Sequence, residues 1–97
     1  MKVEYHPLTA SDLNTTAAFY NDKRPGLGDE FRAEVYSAID RVRANPSQFH
    51  VVSDEKRRCR VNCFPYSVVF RIVGSETVRV LVIRHHRQRI EFGSRRA

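Results

Sequence analysis

Between Arg57 and Arg89 three β-rich runs follow one another, parted by Phe64-Pro65-Tyr66 and Gly74-Ser75-Glu76. Apolar side chains recur there at every second position, the period of a strand with two different faces. Cys59, Val61 and Cys63 fall on one face of the first run, and Arg58, Arg60 and Asn62 on the other. In the second run Tyr66, Val68, Phe70 and Ile72 oppose Ser67, Val69, Arg71 and Val73. In the third, Val78, Val80 and Val82 alternate with Arg79, Leu81 and Ile83. The last two runs are apolar on both faces, as central strands are. The pattern predicts a three-stranded antiparallel meander. One face is greasy and needs a cover; the other face or its rim is cationic and suits an anionic partner.

The upstream half supplies the cover. Val3 and Tyr5 alternate with Lys2, Glu4 and His6 as a short strand that Pro7 stops. Thr9, with Asp12 three positions on, reads as a capping box for a first helix carrying Leu13, Ala17 and Tyr20 at helical spacing. That helix ends near Asn21–Lys23. Arg24-Pro25-Gly26-Leu27-Gly28 breaks it and leads into a second. There Phe31, Val35, Ala38, Ile39 and Val42 recur at i, i+4, i+7, i+8 and i+11, the cleanest helical stripe in the chain. Asn45-Pro46 ends it, because the residue before proline is pushed out of the helical region. So short a connector makes the pair an antiparallel hairpin. Pro46 to Lys56 reads as a loop with Phe49 and Val51 tucked beneath it. The tail offers Ile90 and Phe92 as anchors and then frays from Gly93. The expected architecture is α+β in one domain, residues 1–97: an N-terminal strand, a helical hairpin, and three antiparallel strands in one sheet.

Charge divides along the same boundary. Residues 1–55 hold six Lys/Arg against nine Asp/Glu, a net −3; residues 56–97 hold eleven against two, a net +9. Ten of those eleven cations are arginine, whose planar fork suits phosphates and carboxylates. Such asymmetry points to a nucleic acid or an acidic protein as partner. No apolar run nears the ~20 residues of a membrane span, and the N-terminus lacks the apolar core of a secretion signal. A cytoplasmic location is expected.

The chemistry on offer is narrow. No phosphate loop, dinucleotide fingerprint, nucleophile elbow or paired-carboxylate site is present. Cys59 and Cys63 would lie ~13 Å apart along one strand, too far for a disulfide. Their spacing matches no zinc motif, so neither a metal nor a cofactor is expected. What remains is a basic set: Arg58, Arg60, Arg71, Arg84, His85, His86, Arg87 and Arg89. These residues suit a plain anion-binding groove. They also contain the ingredients of metal-free RNA cleavage, with histidine for proton transfer and arginine over the phosphorane. If the last strand continues, His85 and His86 point to opposite faces, so one of them at most enters such a groove.

Several phrases carry a resemblance: R-P-G-L-G-D-E-F at 24–31, A-N-P at 44–46, R-R-C-R-V at 57–61, F-P-Y-S-V-V-F at 64–70 and V-L-V-I-R-H-H-R-Q-R at 80–89. In this order, and with this succession of elements, the chain resembles the RelE/ParE superfamily of bacterial toxins over nearly its whole length. It is more similar to the ParE-type plasmid-stabilisation branch. The resemblance implies the toxin half of a type II toxin–antitoxin pair, with a small antitoxin whose acidic or amphipathic tail wraps it. For the ParE-like branch it implies inhibition of DNA gyrase. For the RelE-like branch it implies mRNA cleavage on the ribosome, for which Arg60, His86 and Arg87 would be the catalytic candidates. The tyrosine that the cleaving branch usually carries near its C-terminus aligns here with Phe92, which has no hydroxyl. A member that has lost its toxicity is the remaining alternative.

Overall fold

The computed structural model describes residues 1–88, 92, 93, 95 and 96. Along the chain lie β1 (Lys2–Tyr5), α1 (Thr9–Lys23), α2 (Leu27–Ala44), a 3-10 turn (Pro46–Gln48), β2 (Val51–Ser53), β3 (Lys56–Arg60), β4 (Tyr66–Val73) and β5 (Thr77–His85). The strands form one sheet in the order β1-β5-β4-β3-β2, and the helical hairpin covers one of its faces. The α+β class and the central positions of β4 and β5 are as expected. β1 lies parallel to β5, from Lys2 opposite Thr77 to Tyr5 opposite Val80. Parallel neighbours need a long crossover; here the helical hairpin carries the chain to β2 at the far edge, and β3 and β4 bring it back to β5.

The core sits between hairpin and sheet. The whole stripe of α2 is buried: Phe31, Val35, Ala38, Ile39 and Val42. It meets Leu13 and Ala17 of α1, then Cys59, Val68, Phe70, Val78, Val80 and Ile83 from the sheet. α1 is the weaker helix by sequence and buries little beyond Thr9, Leu13 and Ala17. Tertiary packing holds it. The two helices approach closely at Gly28, whose backbone N–H donates to Asn21 Oδ1 at 2.8 Å. That bond satisfies one of the orphan donors at the start of α2.

Five expectations need correction. First, the segment read as a loop contains a fifth strand, β2, paired with β3 through a turn whose Asp54 and Glu55 both have positive φ, 43° and 64°. A two-residue turn of that twist usually carries glycine or asparagine, and Asp-Glu does not advertise it. Val51 is consequently exposed on the edge strand, while Phe49 is half-buried, edge-on to Phe70 at 5.8 Å.

Second, Cys63 is not in a strand. β3 ends at Arg60, and Cys63 is exposed with φ 70°; only Cys59 is buried in the core, and both thiols are free.

Third, Thr9 and Asp12 form no capping box. Thr9 is the first residue of α1, and its Oγ1 donates to the carbonyls of Val80 and Leu81 at 3.3 and 3.2 Å. Asp12 accepts the N–H of Ile83 and pairs with Arg96, which also donates to Leu81 O. β1 stops opposite Val80, so the upper edge of β5 would otherwise expose backbone groups; these side chains satisfy it.

Fourth, the tail does not fray at once. Gly93 lies against the side chain of Val82, Arg96 is largely buried by its pair with Asp12, and its guanidinium sits 5.6 Å from the Phe92 ring. Phe92 is half-buried; Ile90 is outside the described residues.

Fifth, the alternation of β5 breaks. Its pairing with β4 steps from Val69–Val82 to Phe70–Val80, which leaves Leu81 as an extra residue. Such a bulge reverses the facing of everything beyond it. Val78 and Val80 therefore face the helices, but so does Ile83. Val82 turns to the opposite face, and Arg84 turns with it.

Candidate functional site

The face away from the helices is built from three rows that cross β3, β4 and β5. Arg60, Ser67 and Arg84 are in register, followed by Arg58, Val69 and Val82, and then by Lys56 and Arg71 with Arg79. The bulge at Leu81 decides what this face can do. With unbroken alternation, Arg84 would enter the helix-side core and His85 would face the arginines. With the bulge, Arg84 joins Arg58 and Arg60. His85 goes to the helix side, edge-on to the Tyr66 ring at 4.9 Å. His86 follows on the arginine side. Its backbone N–H donates to Pro65 O at 2.9 Å, and its Nε2 lies 3.0 Å from Ser67 Oγ.

Arg58, Ser67, Arg84, His86 and Gln88 line one cavity of about 140 Å³. Ser67 is 1% exposed and Arg84 8%, so both are held firmly in the wall. Arg58 and His86 lie at the mouth. Gln88 is fixed by accepting the N–H of His85 at 2.8 Å through Oε1, which leaves its amide nitrogen available as a donor. Burial, and then the neighbouring charge of Arg58, pull Arg84 below the usual arginine value, yet a guanidinium remains charged throughout the neutral range.

His86 is held below its ordinary 6.5 mainly by desolvation. The charges of Arg60, Arg58 and His85 act in the same direction, against a raising contact with the Tyr66 backbone. At pH 7 it is neutral. The folded chain resists a proton that the unfolded chain accepts near 6.5. The group's contribution to stability is therefore present above that value and lost as pH falls through the folded one. A proton NMR titration of the His86 ring should give a midpoint below 6.5; a midpoint at or above it would contradict this placement.

The remaining candidates disperse. Arg71 lies at the far end of the same face, four residues from Ser67 or ~13 Å along the strand, with its Nε buried and without a partner. Beside it Arg79 is paired with Glu4 at 3.1 Å. Arg60 is exposed at the edge of the cavity's row, while Arg87 is exposed in the turn after β5. Arg89 lies outside the described residues. Ser67 and Gln88 escaped the sequence reading. Ser67 left a trace, as a lone hydroxyl within an apolar strand on the same side as the arginines.

Other chemistry finds little support. The Cys59 thiol is pushed up by burial, which makes it a poor nucleophile. Among the described residues no cluster of three His, Cys, Asp or Glu could hold a metal ion, and no helix is long and apolar enough to cross a membrane.

The comparisons with known proteins bear on the fold and the family. No curated protein matches the sequence at a significant level. The fold is similar to that of a solved structure described as the chromosomal ParDE TA system from P. aeruginosa, with a TM-score of 0.77 at 17% identity, covering 88% of this chain and 95% of that one. A family model described as the ParE toxin of the type II toxin–antitoxin system parDE matches residues 3–90. That match takes in both helices, all five strands and the arginine face, and the chain therefore belongs to the ParE toxin family.

Proposed function

We propose that this chain acts in the cytoplasm as a toxin that inhibits DNA gyrase by binding and is silenced by a cognate antitoxin. Family membership supports the toxin role. The observation that carries the binding mechanism is the make-up of the arginine face. In-line cleavage of RNA needs one group to take the proton of the 2′-hydroxyl and another to protonate the leaving oxygen. The cavity offers one imidazole, His86; the bulge sends His85 to the opposite side of the sheet. Two or more guanidinium groups around a single neutral histidine make a gripping surface. The net +9 of residues 56–97 also suits an antitoxin with an acidic tail.

The second reading, ribosome-dependent mRNA cleavage by Arg60, His86 and Arg87, has one observation in its favour: a histidine tuned to be neutral near pH 7 beside arginines. Against it, Arg87 is not among the residues lining the cavity. The test is brief expression with mapping of mRNA ends, together with a supercoiling assay on purified gyrase. We expect supercoiling to fall and mRNA ends to stay unchanged. New ends within codons alongside normal supercoiling would replace this proposal with the nuclease reading.

A further inference from the structure

We infer that the chain pairs with a second copy of itself through the free edge of β1, antiparallel and with Val3 opposite Val3 across a two-fold axis. The inference goes beyond the gyrase reading and depends only on that edge.

Among the described residues β5 is the one strand beside β1, and nothing pairs with the other side. Lys2 and His6 donate their N–H groups to Glu76 O and Val80 O, at 2.8 Å each. Successive residues of a strand aim these groups to alternate sides, so those of Val3 and Tyr5 point away from β5. Such a row is a template for another strand. The opposite edge of the sheet is blunted: β2 has three residues, and its pairing with β3 shifts register between Val51 and Ser53. β1 pairs without a shift from Lys2 to Tyr5.

The side chains along this edge are sorted by face. Toward the helices Met1 is 41% exposed and Tyr5 49%, with Val3 between them packed against the core. Tyr36 of α2 lines the same cavity as Tyr5 and is equally exposed. Large apolar groups left in water at one edge mark an interaction surface. On the other face Lys2 is exposed, and Glu4 is paired with Arg79.

Charge selects the partner and the register. Outward-pointing backbone groups must oppose one another, so Val3 can lie opposite Met1, Val3 or Tyr5 of the second copy. The first choice sets Lys2 against Lys2, and the last sets Glu4 against Glu4. Val3 opposite Val3 sets Lys2 against Glu4, and does so twice. Opposite charges directly across a strand pair stabilise it, and like charges do the reverse. The same register brings Met1 against the Tyr5 ring, a favourable sulfur–aromatic pairing. The two-fold axis stands perpendicular to the sheet, so the contact is the same patch on both copies. Both helical hairpins then lie on one side and both arginine faces on the other. Arg79, next to the seam on β5, is already paired with Glu4, which limits repulsion there.

The experiment is sedimentation equilibrium of the purified full chain over a concentration series. A contact between two four-residue strands belongs to the small, transient class of interfaces, so we expect a reversible dimer with Kd on the order of 0.1 mM. Lys2→Glu sets like charges together at both ends of the contact. It should raise Kd about tenfold and leave the melting temperature unchanged, because Lys2 is exposed. Mixing Lys2→Glu with Glu4→Lys restores opposite charges at both positions; the mixture should associate like the parent, and neither variant should do so alone. Glu4→Lys also loses the pair with Arg79, so amide exchange of the parent gives an independent reading. The N–H groups of Val3 and Tyr5 should exchange more slowly as concentration rises, and that of His6 should be protected throughout. A chain that stays monomeric to about 1 mM, tenfold above the expected Kd, overturns the inference and leaves the edge to an extended segment of another protein. So does Lys2→Glu associating like the parent, or a doubled mass with Val3 and Tyr5 exchanging as fast as before, since either puts the contact elsewhere. Folded Lys2→Glu and Glu4→Lys chains that stay apart when mixed overturn the register.

Discussion

Phe31→Ala should destabilise the fold by about 3–5 kcal/mol, a large share of the ~5–15 kcal/mol that holds a domain of this kind together. Phe31 is fully buried, and its ring is where the two layers lock. Its centroid lies 5.4 Å from Tyr20 of α1 and 5.2 Å from both Phe64 and Tyr66. The contacts with Phe64 and Tyr66 are edge-on, a favoured arrangement worth more than the buried area alone. Truncation removes all three contacts and opens a cavity that helices and sheet, braced by their own backbones, close only in part. The consequence extends toward the site, because Tyr66 is also the ring against which His85 rests. Urea melts of parent and variant would measure the loss. An unchanged midpoint would mean that α2 does not seal the sheet through this residue.

Gly28→Ala should cost at the upper end of the ~1–3 kcal/mol typical of overpacking, lowering the melting temperature by roughly 10–20 °C. Helix propensity alone argues the other way, by nearly ~1 kcal/mol in favour of alanine. Sterics win. A Cβ at Gly28 would sit 2.1 Å from the carbonyl oxygen of Ala17 and 2.7 Å from the Asn21 side chain. The first obstacle is backbone within α1 and cannot rotate aside; the second is the group that accepts the Gly28 N–H. The helices must separate, and the buried contacts between Leu13, Ala17 and the α2 stripe loosen with them. Gly26 makes a useful contrast, since its φ of 88° explains that glycine by conformation, with open space where a Cβ would go. A Gly28→Ala protein that melts with the parent would show that the crossing is looser than described here.

Much of this molecule was readable from residue order. The α2 stripe from Phe31 to Val42, the alternation of Val68, Phe70 and Ile72, and the concentration of arginine after residue 56 are local or compositional properties. They established the class, the succession of elements apart from β2, a core between hairpin and sheet, and a cationic far side. Arg58, Arg60, Arg84 and His86 all belong to the basic set visible in the sequence, and the fold turns them to one side of the sheet. Unbroken alternation in the last run would have sent Arg84 inward; the bulge at Leu81 turns it outward.

What escaped is what depends on a second segment of chain. A bulge is a mismatch between two strands, and nothing within Val80-Leu81-Val82 announces it; yet it alone brings Arg84 and His86 to Ser67. Thr9 and Asp12 look like a local cap, but the strand edge some seventy residues away offers them unsatisfied backbone groups, which a solvated helix end does not. The parallel pairing of β1 with β5 likewise follows from the hairpin delivering the chain to the far edge, from which the meander returns to β1. Periodicity along the sequence determines which side chains can share a face, because successive residues point in fixed relative directions. Which face carries the chemistry was decided only when strands met, because hydrogen-bond register belongs to the pair.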